Sequence, residues 1–129
     1  MHSSQIVSGH YRTCPVFEHR LLIINVNRTA TETSLYSAVS FAWKIDPRKA
    51  RRADYVLAVR QGLIVGAFVA DEWLQAVSTN FPGRDNEPNR YGFRGGPAPV
   101  EIERLYVNKR LPDEYRKPGA ANPVRYTYK

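Results

Sequence analysis

The residues best suited to chemistry in this chain run from Arg90 to Gly96, Arg90-Tyr91-Gly92-Phe93-Arg94-Gly95-Gly96. Guanidinium groups beside aromatic faces suit phosphate contact combined with base stacking, and glycines let a backbone come close to a ligand. The ordinary alternative is a strand end with Phe93 in the core and the arginines in solvent. Trp43 and Trp73 could wall an aromatic pocket for a flipped or unpaired base. Tryptophan on an amphipathic element more often packs inward. Asn122, within Gly119-Ala-Ala-Asn-Pro123, offers an amide to a base edge or phosphate, although Asn-Pro is also plain turn chemistry. Asn25 and Asn27 stand in the same position, as base-edge readers or as turn-formers at a strand end. A second basic cluster, Arg48, Lys49, Arg51 and Arg52, can grip phosphates without reading sequence, or can simply be a solvated face.

Catalytic constellations are harder to find. His10, Cys14 and His19 have a ligand-like spacing, but a fourth ligand is missing nearby, so no metal is expected. Cys14 lacks a positioned base. Asp71-Glu72 are strand neighbours that point to opposite faces, and Asp113-Glu114 have no evident partner. The chain carries no phosphate-binding glycine loop, dinucleotide fingerprint or nucleophile elbow. The expectation is a protein that is not an enzyme and needs no cofactor, with a divergent nuclease or hydrolase as the lesser alternative.

Charge supports the binding reading. Over 129 residues, 19 Lys and Arg face 12 Asp and Glu, for a net charge of +7 and a pI near 9.8. Between residues 44 and 60, six cations oppose Asp46 and Asp54; between 90 and 129, nine oppose Glu101, Glu103, Asp113 and Glu114. Clustered positive charge of this kind is the footprint of a phosphate-backbone binder. One cysteine excludes an intrachain disulfide. There is no long apolar run, and Met1 to Gly9 has neither a basic nor an apolar leader region. A cytoplasmic protein with no membrane role is expected.

Positioning these residues requires a fold. An apolar fraction of 43% over this length suffices for one domain. Residues 1–19 show no period and are expected to form a loosely ordered arm, with residues 20–129 as a single domain. Arg20 to Asn27 reads as a strand. Thr33 or Ser34 caps a following helix with Leu35, Val39, Ala42 and Trp43 on its buried face. Asp46-Pro47 starts a short basic helix to about Ala53. A hairpin joins Tyr55–Arg60 and Leu63–Val69 through Gln61-Gly62, the second strand ending at Asp71-Glu72-Trp73 or continuing past a bulge to Ala76. Residues 77–90 read as a loop, Tyr91 to Phe93 as a short strand broken at Gly95-Gly96-Pro97, and Pro99 to Leu105 as a helical turn. Tyr106-Val107 and Val124 to Tyr128 read as closing strands, with Pro112 to Arg116 as a turn. This order argues for an α+β fold, a small mixed or antiparallel sheet curled as a pseudo-barrel around one or two short helices, and against alternating βαβ units.

Several of these features, in this order, resemble a prokaryotic domain found alone or behind GIY-YIG-type nuclease domains. They are the strand ending at Asn25 or Asn27, Ala42-Trp43, the basic helix leading into Ala53-Asp54-Tyr55-Val56-Leu57-Ala58-Val59, and Trp73. Arg90, Phe93 and Gly95 follow, then Tyr106 and Lys109, and finally Gly119 to Tyr126. The likeness spans about residue 20 to 128. It implies a PUA-like barrel, a group that often binds RNA or modified bases, and fold alone does not set function. The GIY-YIG catalytic motif is absent, so nuclease activity is not implied. The expected function is a nucleic-acid-binding module, for DNA or RNA, with Trp73, Arg90, Tyr91, Phe93, Arg94 and Asn122 around a base and Arg48, Arg51 and Arg52 on the backbone. The alternative is a protein-interaction or regulatory domain that partners a nuclease or modification system.

Overall fold

A computed structural model of the chain describes residues 17–26, 34–112, 115 and 123–129. The apolar run at its start is a strand, β1 (Leu21–Asn25), with Leu21 to Ile24 all buried. A strand buried on both faces must lie inside a sheet covered on both sides, and it does. β1 pairs in parallel with β2 (Tyr55–Arg60), Leu21 opposite Tyr55 and Asn25 opposite Val59. At their common start, Asp54 accepts a hydrogen bond from the Arg20 backbone N–H (2.8 Å) and donates its own N–H to the Arg20 carbonyl (2.6 Å).

Two short helices bridge these strands. In α1 (Leu35–Ser40) the Ser34 hydroxyl accepts from the Ser37 N–H at 3.0 Å, the cap expected of it. The helix stops before Ala42 and Trp43, earlier than the apolar spacing implies. Trp43 instead forms an isolated antiparallel bridge with Tyr91, each donating its N–H to the other's carbonyl at 2.9 Å. Its indole N–H donates to the Val39 carbonyl at 2.7 Å, which lets the ring be buried without an orphan donor. In α2 (Pro47–Ala50) Asp46 accepts from the Arg48 N–H at 3.0 Å and Pro47 fills the first turn.

β2 turns into β3 (Leu63–Ala76) through Gln61 and Gly62, both with positive φ (52° and 77°), as a tight hairpin turn whose twist matches its strands requires. β3 continues past a register shift between Ala70 and Glu72 and ends at Ala76, where the bulge reading of the sequence placed it. β4 (Glu87–Pro97) returns antiparallel along it. This strand starts earlier than the loop reading implied, and Gly95 and Gly96 lie within it rather than breaking it. The helix α3 (Val100–Tyr106) follows and includes Tyr106, which is therefore a helix residue and not part of a closing strand. β5 (Val124–Tyr126) pairs antiparallel with β1.

The sheet order is β4-β3-β2-β1-β5, with one parallel pair among antiparallel ones. The architecture is α+β with a mixed five-stranded sheet and three helices. The β1-α1-α2-β2 segment is a single parallel crossover within a mixed sheet, formed as the apolar side chains of α1 and α2 cover a sheet face. The sheet is not closed, so barrel closure is not seen; its faces are covered by helices. On one face Leu22, Ile24, Val56, Ala58 and Phe68 pack with Val39, Trp43, Ala50, Trp73 and Phe93. On the other, Leu21, Ile23, Leu57 and Ile64 pack with Ile102, Tyr106 and Leu111. Each large side chain buried this way contributes on the order of 1.5–3 kcal/mol, so these two layers hold the sheet. No helix among the described residues is long and apolar enough to cross a membrane.

The expected arm lies outside the described residues as far as residue 16. Beyond it the chain is anchored: the Tyr106 hydroxyl accepts from the Glu18 N–H (3.1 Å) and lies 2.6 Å from His19 Nδ1, while Phe17 packs edge-on to Tyr115.

Candidate nucleic-acid interface

The stretch 90–96 lies on β4, and β4 is built into the core. Phe93 is completely buried, and its ring centroid lies 5.0 Å from that of Trp73, itself 4% exposed. Opposed across the β3–β4 ladder, the two rings pack against each other at a tilt of 59°, and their burial leaves no face open to a base. Trp43 is 7% exposed in the same layer. Tyr91 is half-buried and held at the strand edge by Trp43. The base pocket expected of Trp73, Tyr91 and Phe93 is thus filled by the protein's own packing.

The arginines of this stretch are engaged at home. Arg90 donates to the Ala42 carbonyl (3.3 Å) and pairs with Glu87 (3.5 Å). Arg94 donates to the Asn80 carbonyl and pairs with Glu72 at 3.4 Å. Its glycines also serve the fold. A Cβ on Gly95 would stand 1.8 Å from the Val69 carbonyl oxygen, and one on Gly92 2.5 Å from that of Ser40. The close backbone approach that these glycines permit is to the chain itself. Residues 77–86 are likewise tied down: Asn86 accepts from the Ser78 N–H (2.6 Å), Phe81 packs edge-on to Phe41, and Arg84 donates to the Ser37 carbonyl (2.7 Å) while lying over the Phe41 ring.

A different surface gathers cations and rings in the open. β5 and the residues after it read Arg125-Tyr126-Thr127-Tyr128-Lys129, and the strand period of two puts both tyrosines on one side. That side faces α2. Lys49 Nζ lies 4.2 Å above the centre of the Tyr126 ring, and the Arg52 guanidinium 5.6 Å from that of Tyr128. The Tyr128 hydroxyl donates to the Lys49 carbonyl at 2.6 Å, and that of Tyr126 accepts from the Asp46 N–H at 3.4 Å. Arg52 also donates to the Lys129 carbonyl at 2.7 Å. The two rings meet edge to face, 5.6 Å apart.

The result is a bracket: two phenols fastened to the two ends of a short helix, each with a cation across its face. Burial raises the pKa of both tyrosines above the ordinary phenol value, Tyr128 to about 12, with the neighbouring Tyr126 adding to that shift. Both remain neutral near pH 7. Arg48, exposed on the same helix, has no ion pair or side-chain hydrogen bond among the described residues. Arg20, close enough to influence Tyr128, pairs with Asp54 at 3.5 Å. Arg20, Arg48, Lys49, Arg52 and Lys129 thus stand against Asp46, which caps the helix, and Asp54, which pairs with Arg20.

Arg51 points elsewhere. It lines a shallow cleft of about 440 Å³ with Ala70 to Leu74. Trp73 borders this cleft, but so do the carboxylates of Asp71 and Glu72, which disfavour a phosphate there. Asn122 and Asn27 lie outside the described residues; Asn25 is exposed at the end of β1. Of the residues expected at the site, Arg48 and Arg52 come together, Trp73, Phe93, Tyr91, Arg90 and Arg94 are committed to packing or local pairing, and Arg51 sits apart. Sequence reasoning missed Tyr126, Tyr128 and Arg20. The alternation of aromatic residues through 125–129 carried that signal, but it was read only as a closing strand.

No family model, curated protein or solved structure matches this chain.

Proposed function

We propose that the protein is a cytoplasmic nucleic-acid-binding module without catalytic activity, and that it binds through the surface formed by α2 and the segment 125–129. The observation that carries this reading is the placement of Lys49 and Arg52 over the rings of Tyr126 and Tyr128. Exposed Arg48 and Lys129 flank them. Positive charge next to aromatic surface is the pairing that single-stranded nucleic-acid sites use, and a net charge of +7 favours encounter with any polyanion.

The finer fold reading belongs to the same proposal: a PUA-like pseudo-barrel of the kind found alone or fused to GIY-YIG-type nuclease domains. It rests on the order of strand, basic helix, hairpin and C-terminal Asn-Pro-Val-Arg-Tyr, and it requires β4 and β5 to curl toward each other. An experimental structure with these strands as the far edges of a flat sheet removes it.

The test is fluorescence anisotropy with short single- and double-stranded DNA and RNA over a salt series, comparing the native protein with an Arg48→Glu/Arg52→Glu variant. Binding at about 50 mM salt that weakens as salt rises is expected, with at least about a tenfold loss in the variant at equal helix and sheet content. If no oligomer binds the native protein at low salt, the reading fails and an acidic protein partner takes its place.

A further inference from the structure

The bracket between α2 and the C-terminal segment also bears on what is recognised. Aromatic residues at single-strand sites ordinarily present a free ring face to a base. Here a cation already lies over one face of each ring. Lys49 covers Tyr126 and Arg52 covers Tyr128, at 4.2 Å and 5.6 Å from the ring centres. The rings abut each other edge to face, and both hydroxyls are held by the backbone of the α2 region, at Asp46 and at Lys49. Both are half-buried. For a base to stack on that face of either ring, the cation would have to leave it, giving up a contact on the order of 0.5–1 kcal/mol. That cation is the group a phosphate seeks.

A second observation points the same way. The larger aromatic side chains that could have read bases, Trp43, Trp73 and Phe93, are each less than 9% exposed. The cleft that Trp73 borders carries Asp71 and Glu72. Trp43, Trp73 and Phe93 therefore bring no free ring surface to the cations around them.

We infer that the ligand is held by its sugar–phosphate backbone with its bases unread, and that Tyr126 and Tyr128 are positioning residues that aim Lys49 and Arg52 at successive phosphates. This inference rests on the nucleic-acid reading of the same surface. Lysine and arginine side chains in water sample many rotamers, and fixing them at binding costs free energy. A ring beneath each charge limits that sampling in advance, so less is lost when a phosphate arrives. The cation's outward side stays open to the ligand. Such contacts hold a strand in place without distinguishing its sequence.

An oligonucleotide built of abasic sugar–phosphate units separates this from base stacking. It is compared with a base-containing single strand of the same length, using the native protein and the variants Tyr126→Leu, Tyr128→Leu, Tyr126→Phe and Tyr128→Phe. The native protein should bind both oligomers within about threefold, because a stacked base would add roughly five- to a hundredfold to the base-containing one. The leucine variants should weaken both oligomers by equal factors and flatten the salt dependence, while the phenylalanine variants, which keep the ring under the cation, should restore most of it. A purely structural loss would lower the fraction of binding-competent protein and leave the salt slope as it was. Loss of binding on the abasic strand alone, or leucine variants that weaken only the base-containing strand, overturns the inference and makes the tyrosines stacking residues. Failure of both oligomers to bind the native protein rejects the underlying nucleic-acid reading and this inference with it.

Discussion

Two regions of this molecule carry interleaved cations and aromatic rings, and they differ in which way the rings face. Around Arg90 to Gly96 the ring of Phe93 turns inward against Trp73, and the arginines at either side find Glu87, Glu72 and nearby carbonyls. Around α2 and residues 125–129 the rings stay half-buried, and Lys49 and Arg52 rest upon them, with Arg48 in solvent beside them. The difference follows from what covers each strand, since β4 and β5 are the two edges of the sheet. β4 is a long strand lying under α1 and bridged by Trp43, so alternate side chains enter the core. β5 has three residues, and beyond Val124 the half-buried Tyr126 packs on the core layer while its ring and that of Tyr128 also meet the one-turn helix α2. An alternation of rings and charges therefore enters the core where a helix and a backbone bridge cover the strand, and stays half-buried beneath its cations where a one-turn helix lies against it.

The sharpest way to break this comparison is Phe93→Ala. Removing a fully buried ring should destabilise the fold by about 3–5 kcal/mol, measured by denaturant unfolding, while the fraction still folded keeps its oligonucleotide affinity. A stable Phe93→Ala protein that no longer binds would make β4 the site after all. A smaller effect is expected from Arg90→Ala and Arg94→Ala. These exposed pairs should contribute no more than about 1 kcal/mol to stability, and affinity should stay within about twofold of native, against at least about tenfold for the α2 double variant. Equal losses from the two regions would erase the distinction between them.

The smallest effect concerns alkaline pH. Tyr128 has its pKa pushed up to about 12 from 10.0, chiefly by burial. Above pH 10 the unfolded chain's phenol loses its proton while the folded one keeps it, so the folded state binds more protons and stability falls until pH reaches about 12. Below pH 10 this contribution is constant. Tyr128→Phe should show a flatter decline than the native protein between these limits when unfolding is followed by circular dichroism. Parallel curves would mean that the phenol is no more shielded in the fold than out of it.

Much of the framework was legible in the residues. Asp46-Pro47 announced a helix start because capping is local chemistry, and the Gln61-Gly62 hairpin announced itself because positive φ at a tight turn favours glycine. The start of α3 near Pro99 was legible from Glu101 and Glu103, which sit at its positive end. The end of α1 was not. Ala42 and Trp43 continue an apolar helical spacing, yet a β-edge bridge to Tyr91 satisfied Trp43's backbone better. Nor was the parallel pairing of β1 with β2, since partner choice between two equally apolar strands depends on what covers their faces.

The sequence by itself determined a basic α+β chain with two cationic regions and aromatic residues placed among them. These follow from composition and from interactions within a few residues of one another. Only the tertiary structure decided which aromatic residues are buried, which cations pair with carboxylates and which lie over a ring. Burial is settled by contacts between segments far apart in the chain: Phe93 with Trp73 across a strand pair, and Tyr128 with Lys49 across 79 positions. Local spacing states that a ring and a charge alternate. Which of the two faces water depends on the layer that the rest of the chain lays over them.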